Sequence, residues 1–246
     1  MKSKHHHLQT IPSTQDWAKE NFTSFNLDEF NIVIASEQTK GRGRFNRHWH
    51  SPKDKNAYVT YCFAVPLSKI SLSSISLVVG LSIAEALQKL GLQVKLKWPN
   101  DLFIEGKKAG GILIETKEYK EQQVFFVGFG ININMTLEEL KSVECEATSL
   151  YAETNKTWSI QSITESVETT FKRNLPIFLK EGFQSFKKDF ESISFLAGKT
   201  ILFNTGKEAV QGKYVEVNSE GGLTLELKDK THHTYFSGEI ISWESQ

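Results

Sequence analysis

Two runs dense in β-branched and aromatic residues, 31–36 and 58–65, bracket a segment that no apolar core accepts: Gln38-Thr39-Lys40-Gly41-Arg42-Gly43-Arg44-Phe45-Asn46-Arg47-His48-Trp49-His50-Ser51-Pro52. Charged side chains leave water only when they are paired, whereas β-branched and aromatic runs suit a pleated, half-buried surface. The chain must therefore lay down two strands of one sheet and hold the charged segment between them as a loop. In a chain of 246 residues with 29 Lys and Arg against 29 Asp and Glu, this local positive charge stands on a neutral background. No global field toward nucleic acid or an anionic membrane follows, so any electrostatic function has to be local. Gly41 and Gly43 allow close backbone approach and unusual conformations. Arg42 and Arg44 alternate with them, and guanidinium grips phosphate or carboxylate through two hydrogen bonds. The pattern points to an anion site, against the plain alternative of a solvated basic loop.

Around this loop the sequence predicts an α+β fold. Ser13-Thr14-Gln15-Asp16 has the spacing of a helix cap and starts a short helix carrying Trp17. Apolar residues at helical spacing predict a helix over 74–90, stopped by Gly91. Strands are expected at 94–98, 101–105, 111–115 and 123–134, separated by short turns. A helical region at 159–194 should break at Pro176 and again at Gly182. From 200 the pattern becomes short strands, at 200–203, 212–217, 223–227 and 234–243, which suggests a small β-barrel. The expected domains are thus 1–195, a mixed or antiparallel sheet with packed helices, and 196–246, the barrel. Residues 1–7, with three histidines, read as a disordered terminus in preference to a metal tract or an expression scar. No signal-peptide core and no apolar run of about 18 residues occurs, and Cys62 and Cys145 imply no disulfide framework. A cytoplasmic protein is expected.

Two nucleotide fingerprints fail on inspection. Gly198-Lys199-Thr200 resembles the end of a P-loop, but Ile193 stands where the first glycine belongs. Gly128-Phe129-Gly130 resembles a dinucleotide turn, but Ile133 takes the third glycine position. What remains is an ordered set: Ser13-Thr14; the Gly41-Arg42-Gly43-Arg44 loop; Lys97-Trp98-Pro99-Asn100-Asp101; Lys107-Lys108-Ala109-Gly110-Gly111; Gly128-Phe129-Gly130-Ile131-Asn132; and Ser237-Gly238-Glu239. Each alone has a bland reading, whether a cap, a turn, a solvated lysine pair or close strand packing. Their order and spacing over most of the chain closely resemble the biotin protein ligase family.

The resemblance implies a catalytic fold like that of class II aminoacyl-tRNA synthetases and of the biotin/lipoate ligases, with a small C-terminal Src-homology-3-like barrel. It implies activation of biotin by ATP with Mg²⁺, giving biotinyl-5′-adenylate, then transfer to a lysine of a biotin carboxyl carrier domain. Arg42, Lys108 and Asp101 are the implied catalytic residues, with Asp101 orienting or deprotonating the acceptor lysine. Ser13, Thr14, Gln38, Arg42 and Lys108 would bind biotin; Arg42, Arg44, Trp49, Asn100 and Asn132 would bind the nucleotide. No protein ligand for the metal is named. No nucleic acid or membrane partner is expected, and the family includes monomers and homodimers. Only about a dozen residues precede Ser13, too few for a DNA-binding helix-turn-helix, so the monofunctional type is expected. The rival readings are a lipoate or octanoate ligase or transferase, a biotin-responsive repressor and a non-catalytic nucleotide-binding module.

Two departures from the family pattern stand out. Gln15 follows Ser-Thr where asparagine is usual, which puts a ligand contact there in doubt. Ala109-Gly110-Gly111 replaces a bulkier sequence and is expected to leave more room beside Lys108. The loop glycines are read as hinges of a lid, at about residues 40–53, that closes over the adenylate.

Overall fold

The computed structural model describes residues 2–67, 72–143 and 145–245. In chain order the elements are β1 (Ser3–Ile11), α1 (Thr14–Asn21), β2 (Phe30–Gln38), β3 (Ala57–Pro66), α2 (Leu72–Gln88), β4 (Lys95–Lys97), β5 (Asp101–Ile104), β6 (Lys107–Tyr119) and β7 (Gln122–Ile131). There follow α3 (Leu137–Leu140), α4 (Leu150–Thr154), α5 (Ile160–Glu181), α6 (Lys187–Ser192), β8 (Lys199–Asn204), β9 (Ala209–Val217), β10 (Leu223–Leu227), β11 (His232–Tyr235) and β12 (Glu239–Ser245). The chain divides into two compact units, Met1–Lys69 with Leu102–Thr169, and Ile70–Asp101 with Thr170–Gln246.

In the first unit the strands stand in the order β1-β2-β3-β7-β6-β5. The β1–β2 pair is parallel, while β2–β3, β3–β7 and β6–β7 are antiparallel. Side chains alternate between the two faces of a strand. One face therefore presents Val33, Cys62, Ala64, Val124 and Phe126, on which α1 lays Ala18 and Phe22. The other presents an aromatic layer in which Phe63 packs on Phe30 at 5.2 Å and on Phe125 at 5.6 Å between ring centroids. Burying one such phenyl ring contributes about 1.5–3 kcal/mol, and a one-residue slip would turn every one of them to the wrong face. That is what holds the register.

The amino terminus is not a disordered tail: β1 pairs with β2 from Ser3↔Phe30 to Ile11↔Gln38. Composition misleads here because each histidine finds a partner on its own face. His6 stacks on Phe25 at 4.8 Å and leans on Trp17 at 5.6 Å. On the other face His5 stacks on His7 at 6.0 Å and meets Glu168 at 2.9 Å, while the Ser3 hydroxyl donates to the same carboxylate.

The second unit holds α2, whose Leu77, Val78, Leu81, Ile83, Ala84 and Leu87 are buried, with Gly91 turning left-handed (φ 84°) shortly after it. The expected break at Pro176 does not occur, since α5 runs through it to Glu181. A proline inside a helix costs about 3 kcal/mol, and burial of Phe171, Leu175 and Phe178 along this stretch offsets that at about 1.5–3 kcal/mol each. Gly182 (φ 72°) does end the helix. Five antiparallel strands follow in the order β11-β10-β9-β8-β12, around Ile201, Phe203, Val217, Leu223 and Leu225. The single strand expected at 234–243 is two, β11 and β12, parted at Gly238 (φ 139°), where any Cβ would collide with the Phe203 ring. Trp98 is a packed indole of this unit: it donates to the Gly221 carbonyl at 3.0 Å and lies 5.9 Å from Phe203. Among the described residues no helix is long and apolar enough to cross a membrane.

Candidate active site

Of the residues singled out by sequence, Ser13, Thr14, Gln38, Arg42, Arg44, Trp49, Lys108 and Asn132 lie in the first unit, on or beside α1, the loop after β2 and the β6–β7 pair. Ser13 caps α1, its hydroxyl accepting from the Asp16 amide at 3.3 Å. Thr14 donates from its backbone amide and its hydroxyl to the side-chain oxygen Oε1 of Gln38 at 2.8 and 3.1 Å, and Gln38 Nε2 donates to the Ser51 hydroxyl at 3.1 Å. Thr60 on β3 donates to the Thr14 hydroxyl at 2.9 Å. Ser13, Thr14, Ser51 and Thr60 are all buried, so their hydrogen bonds fix these polar groups in direction as well as place. Gln15 belongs to the sheet: its amide donates to the Phe126 carbonyl at 3.0 Å and its oxygen accepts from Thr60 at 3.2 Å. A Cβ on Gly128 would stand 2.6 Å from that oxygen, so this glycine exists to admit Gln15.

Gly130 has the same relation to Trp49, whose Nε1 lies 2.5 Å from where a Cβ would be. That Nε1 is buried and has no hydrogen-bond partner among the described residues. The ammonium of Lys108 lies 5.7 Å from the Trp49 ring centroid, within cation–π range. The backbone of Lys108 is held on both sides, by Glu146 at 3.0 Å and Thr148 at 2.9 Å. At Gly110, the middle residue of Ala109-Gly110-Gly111, no space is left open, since its Cβ position lies 2.6 Å from Leu102 and 2.7 Å from the Gly130 carbonyl.

The loop is a small closed flap. Trp49 N donates to the Gly41 carbonyl and Gly43 N to that of Arg47, both at 2.8 Å. Its left-handed residues are Phe45 and Asn46 (φ 56° each), not the glycines. Gly41 serves close packing, with Ser51 Oγ and the Trp49 carbonyl 2.6 Å from its Cβ position. Arg44 and Arg47 lie 5.0 and 5.8 Å from the exposed Phe45 ring.

Arg42 turns away from this flap to two carboxylates. Its Nη2 donates to Asp16 at 2.6 Å and to Glu115 at 2.8 Å, and its Nε donates to Asp16 at 3.3 and 3.4 Å. Lys19 reaches the other oxygen of Glu115 at 3.0 Å. Hydrogen bonding to Asp16, opposed by burial and aided by Glu115, raises the already high guanidinium pKa. Burial works to raise the Glu115 carboxyl, but hydrogen bonds from Lys19 and Arg42 hold it below the ordinary carboxylate value. Glu115 stands far along β6 from Lys108, roughly 20 Å at about 3.3 Å per residue. Arg42 and Lys108 are thus drawn to different ends of the strand. Asp16, Glu115, Ser51 and Thr60 were not marked in the sequence; the single local signal was Asp16, three positions after its cap.

Asn132 is buried, its side chain donating to the Thr148 carbonyl at 3.0 Å. Asn100 and Asp101 belong to the second unit's turn, where the Asn100 amide donates to the Lys97 carbonyl at 3.2 Å and Asp101 pairs with the Lys97 ammonium at 3.7 Å. On the opposite face of the first unit's sheet lies a separate cavity of about 580 Å³, lined by His5, His7, Tyr61, Glu165 and Glu168 among others.

The Biotin/lipoate A/B protein ligase family matches residues 8–132. The Bifunctional ligase/repressor BirA of Bacillus spizizenii is 30% identical over 236 residues, 92% of this chain and 70% of that one. The Biotin–[acetyl-CoA-carboxylase] ligase of Paracoccus denitrificans is 27% identical over 203 residues, 78% and 82% of the two chains. Among solved structures, the biotin protein ligase from Aquifex aeolicus in complex with biotin and ATP aligns with a TM-score of 0.83 and 30% identity over 99% of both chains.

Proposed function

Because the chain belongs to the biotin/lipoate A/B protein ligase family, we propose that it is an ATP-dependent biotin protein ligase, a biotin–[acetyl-CoA-carboxylase] ligase. The biotin carboxylate attacks the α-phosphorus of ATP and displaces pyrophosphate, leaving biotinyl-5′-adenylate. The amine of a lysine on a biotin carboxyl carrier domain then attacks the acyl carbon and displaces AMP. The alignment over 99% of both chains with a ligase that holds biotin and ATP carries this reading, and favours biotin over lipoate.

Both steps concentrate negative charge, which fixed cations in a site poor in water stabilise better than mobile ions. Lys108, held by its backbone beside Trp49, is the proposed cation at the carboxylate–phosphate junction, with Arg44 on the flap facing the nucleotide. The polar set of buried Ser13 and Thr14 with half-buried Gln38 suits a ureido ring, whose donors and acceptor must all be satisfied. Trp49 offers a flat face to the nucleotide and Asn132 a polar side chain, while Asn100 is assigned to the nucleotide by the family resemblance alone. Asp101 is assigned to the acceptor lysine, which at a reference pKa of about 10.4 needs a base or an orienting carboxylate. Mg²⁺ enters as part of the nucleotide substrate; among the described residues no three metal-ligating side chains stand together. The flap closes over the adenylate and keeps water from the mixed anhydride. The five-stranded sheet corresponds to a Src-homology-3-like barrel, and the enzyme works in the cytoplasm.

Incubation with labelled biotin, ATP and Mg²⁺, with and without a carrier domain, tests the reading. Biotinyl-adenylate without the carrier, and labelled carrier with it, are expected. No adenylate under either condition refutes it, and a preference for lipoate moves the activity to the sister branch.

A further inference from the structure

Arg42 is the residue whose geometry departs most from its expected role. A guanidinium that grips a reacting anion should face the groups that bind the substrate, yet it is turned to Asp16 and Glu115. With Lys19 on the far oxygen of Glu115, four alternating charges form a neutral ring, Lys19–Glu115–Arg42–Asp16, that begins and ends on α1. The four side chains are 21–40% exposed. An isolated exposed ion pair does little, but charge-assisted bonds of 2.6 and 2.8 Å from one nitrogen, on a partly buried guanidinium, set its direction.

What the ring fastens explains its use. Asp16 sits two residues past Thr14 on α1, Glu115 lies on β6, and Arg42 follows Gly41. Gly41 receives the Trp49 amide at 2.8 Å, and its bare Cα lies against Ser51, the partner of Gln38. The ring therefore ties together α1, β6 and the base of the flap, the three segments that carry the site.

We propose that Asp16 and Glu115 are positioning residues: by holding the Arg42 guanidinium they fasten the flap's base to α1 and β6, and so keep Gln38 and Trp49 in place for the substrates. Arg42 then serves binding through the loop it anchors, and Lys108 carries the charge stabilisation. This rests on the ligase reading for its kinetic consequences, but the fastening itself is measurable without any activity.

The test uses Asp16→Asn/Glu115→Gln, which keeps every lysine and arginine of the flap. Tryptic cleavage between Lys40 and Lys53 in the ligand-free protein should rise several-fold. An unchanged cleavage rate overturns the fastening whether or not the protein is a ligase. In pyrophosphate release, the biotin KM should rise about tenfold, a coupling typical of contacting charges, while kcat stays within about twofold. Adding Arg42→Ala to this variant should raise KM no further, and Asp16→Glu, which keeps the carboxylate, should leave KM close to that of the unsubstituted protein. A fall in kcat at unchanged KM, or additive losses with Arg42→Ala, would overturn the positioning role in favour of a direct anion grip. If the unsubstituted protein makes no adenylate, the ligase reading falls and the cleavage result alone decides the ring.

Discussion

Gly130→Ala is the sharpest single perturbation of the site. The added methyl carbon would stand 2.5 Å from Trp49 Nε1, 2.6 Å from Cε2 and 2.8 Å from Cζ2, where unstrained heavy atoms keep about 3.5 Å. The indole is planar and cannot bend, so it has to withdraw by roughly 1 Å or the strands have to part. Overpacking of this kind costs about 1–3 kcal/mol, which for a chain of this size lowers Tm by roughly 2–4 °C per kcal/mol. Activity should suffer more, because a shift of about 1 Å in a positioning group can cost around 100-fold. The assay is kcat/KM for pyrophosphate release beside a thermal melt, with Gly130→Ala/Trp49→Ala as partner variant. The second substitution removes the clash, so Tm should recover while activity stays low. A Gly130→Ala protein with unchanged kcat/KM and Tm would refute the packing of Trp49 on this glycine.

Lys108→Ala should lower kcat for adenylate formation by about 10²–10³ with Tm nearly unmoved; unchanged single-turnover rates would return Lys108 to the protein surface. Gly41→Ala and Gly43→Ala should separate, because a Cβ at Gly41 meets Ser51 and the Trp49 carbonyl at 2.6 Å whereas one at Gly43 finds its nearest neighbour at 3.9 Å. Melting curves that rank them the other way would show the loop packed differently. The Glu85 carboxyl lies below its ordinary value through hydrogen bonds from Arg173 and then Lys89, against burial. A depressed folded pKa stabilises fully above the unfolded value of about 4.3 and is lost as pH falls through the folded value. The stability gap between the protein and Glu85→Gln should therefore be flat near neutrality and shrink in acid, and a gap independent of pH counts against the pair. Burial pushes the Cys62 thiol up to about 12, whereas Cys145 is exposed. A disulfide reagent near pH 8 should therefore label one thiol quickly and the second only on unfolding, and fast labelling of both would contradict the buried sheet face.

What the sequence made legible was local. The cap at Ser13 needs only the Asp16 amide three residues on, and β3 announces itself through its own aromatic and β-branched residues. β1 could not be read in this way, because its stability comes from Phe25, Trp17 and a carboxylate 163 residues from His5. Pro176 signalled a break that the apolar burial of its own helix overrides. The Gly-Phe-Gly of β7 is visible as glycine in any reading, but only the fold shows that one admits the Gln15 amide and the other the Trp49 indole.

Arg42 shows how distant partners bear on a role read locally. A guanidinium between two glycines looks like an anion grip because its neighbours in sequence carry no opposing charge, and the two carboxylates that claim it lie 26 and 73 residues away. Sequence reports the sign of a charge, and the partners decide whether that charge is offered to a ligand or spent on the scaffold. Lys108 lies toward the other end of β6 from Glu115, its ammonium 5.7 Å from the Trp49 ring centroid. On the proposed reading, one positive charge fastens the flap at one end of β6 and another serves the reaction at the other end.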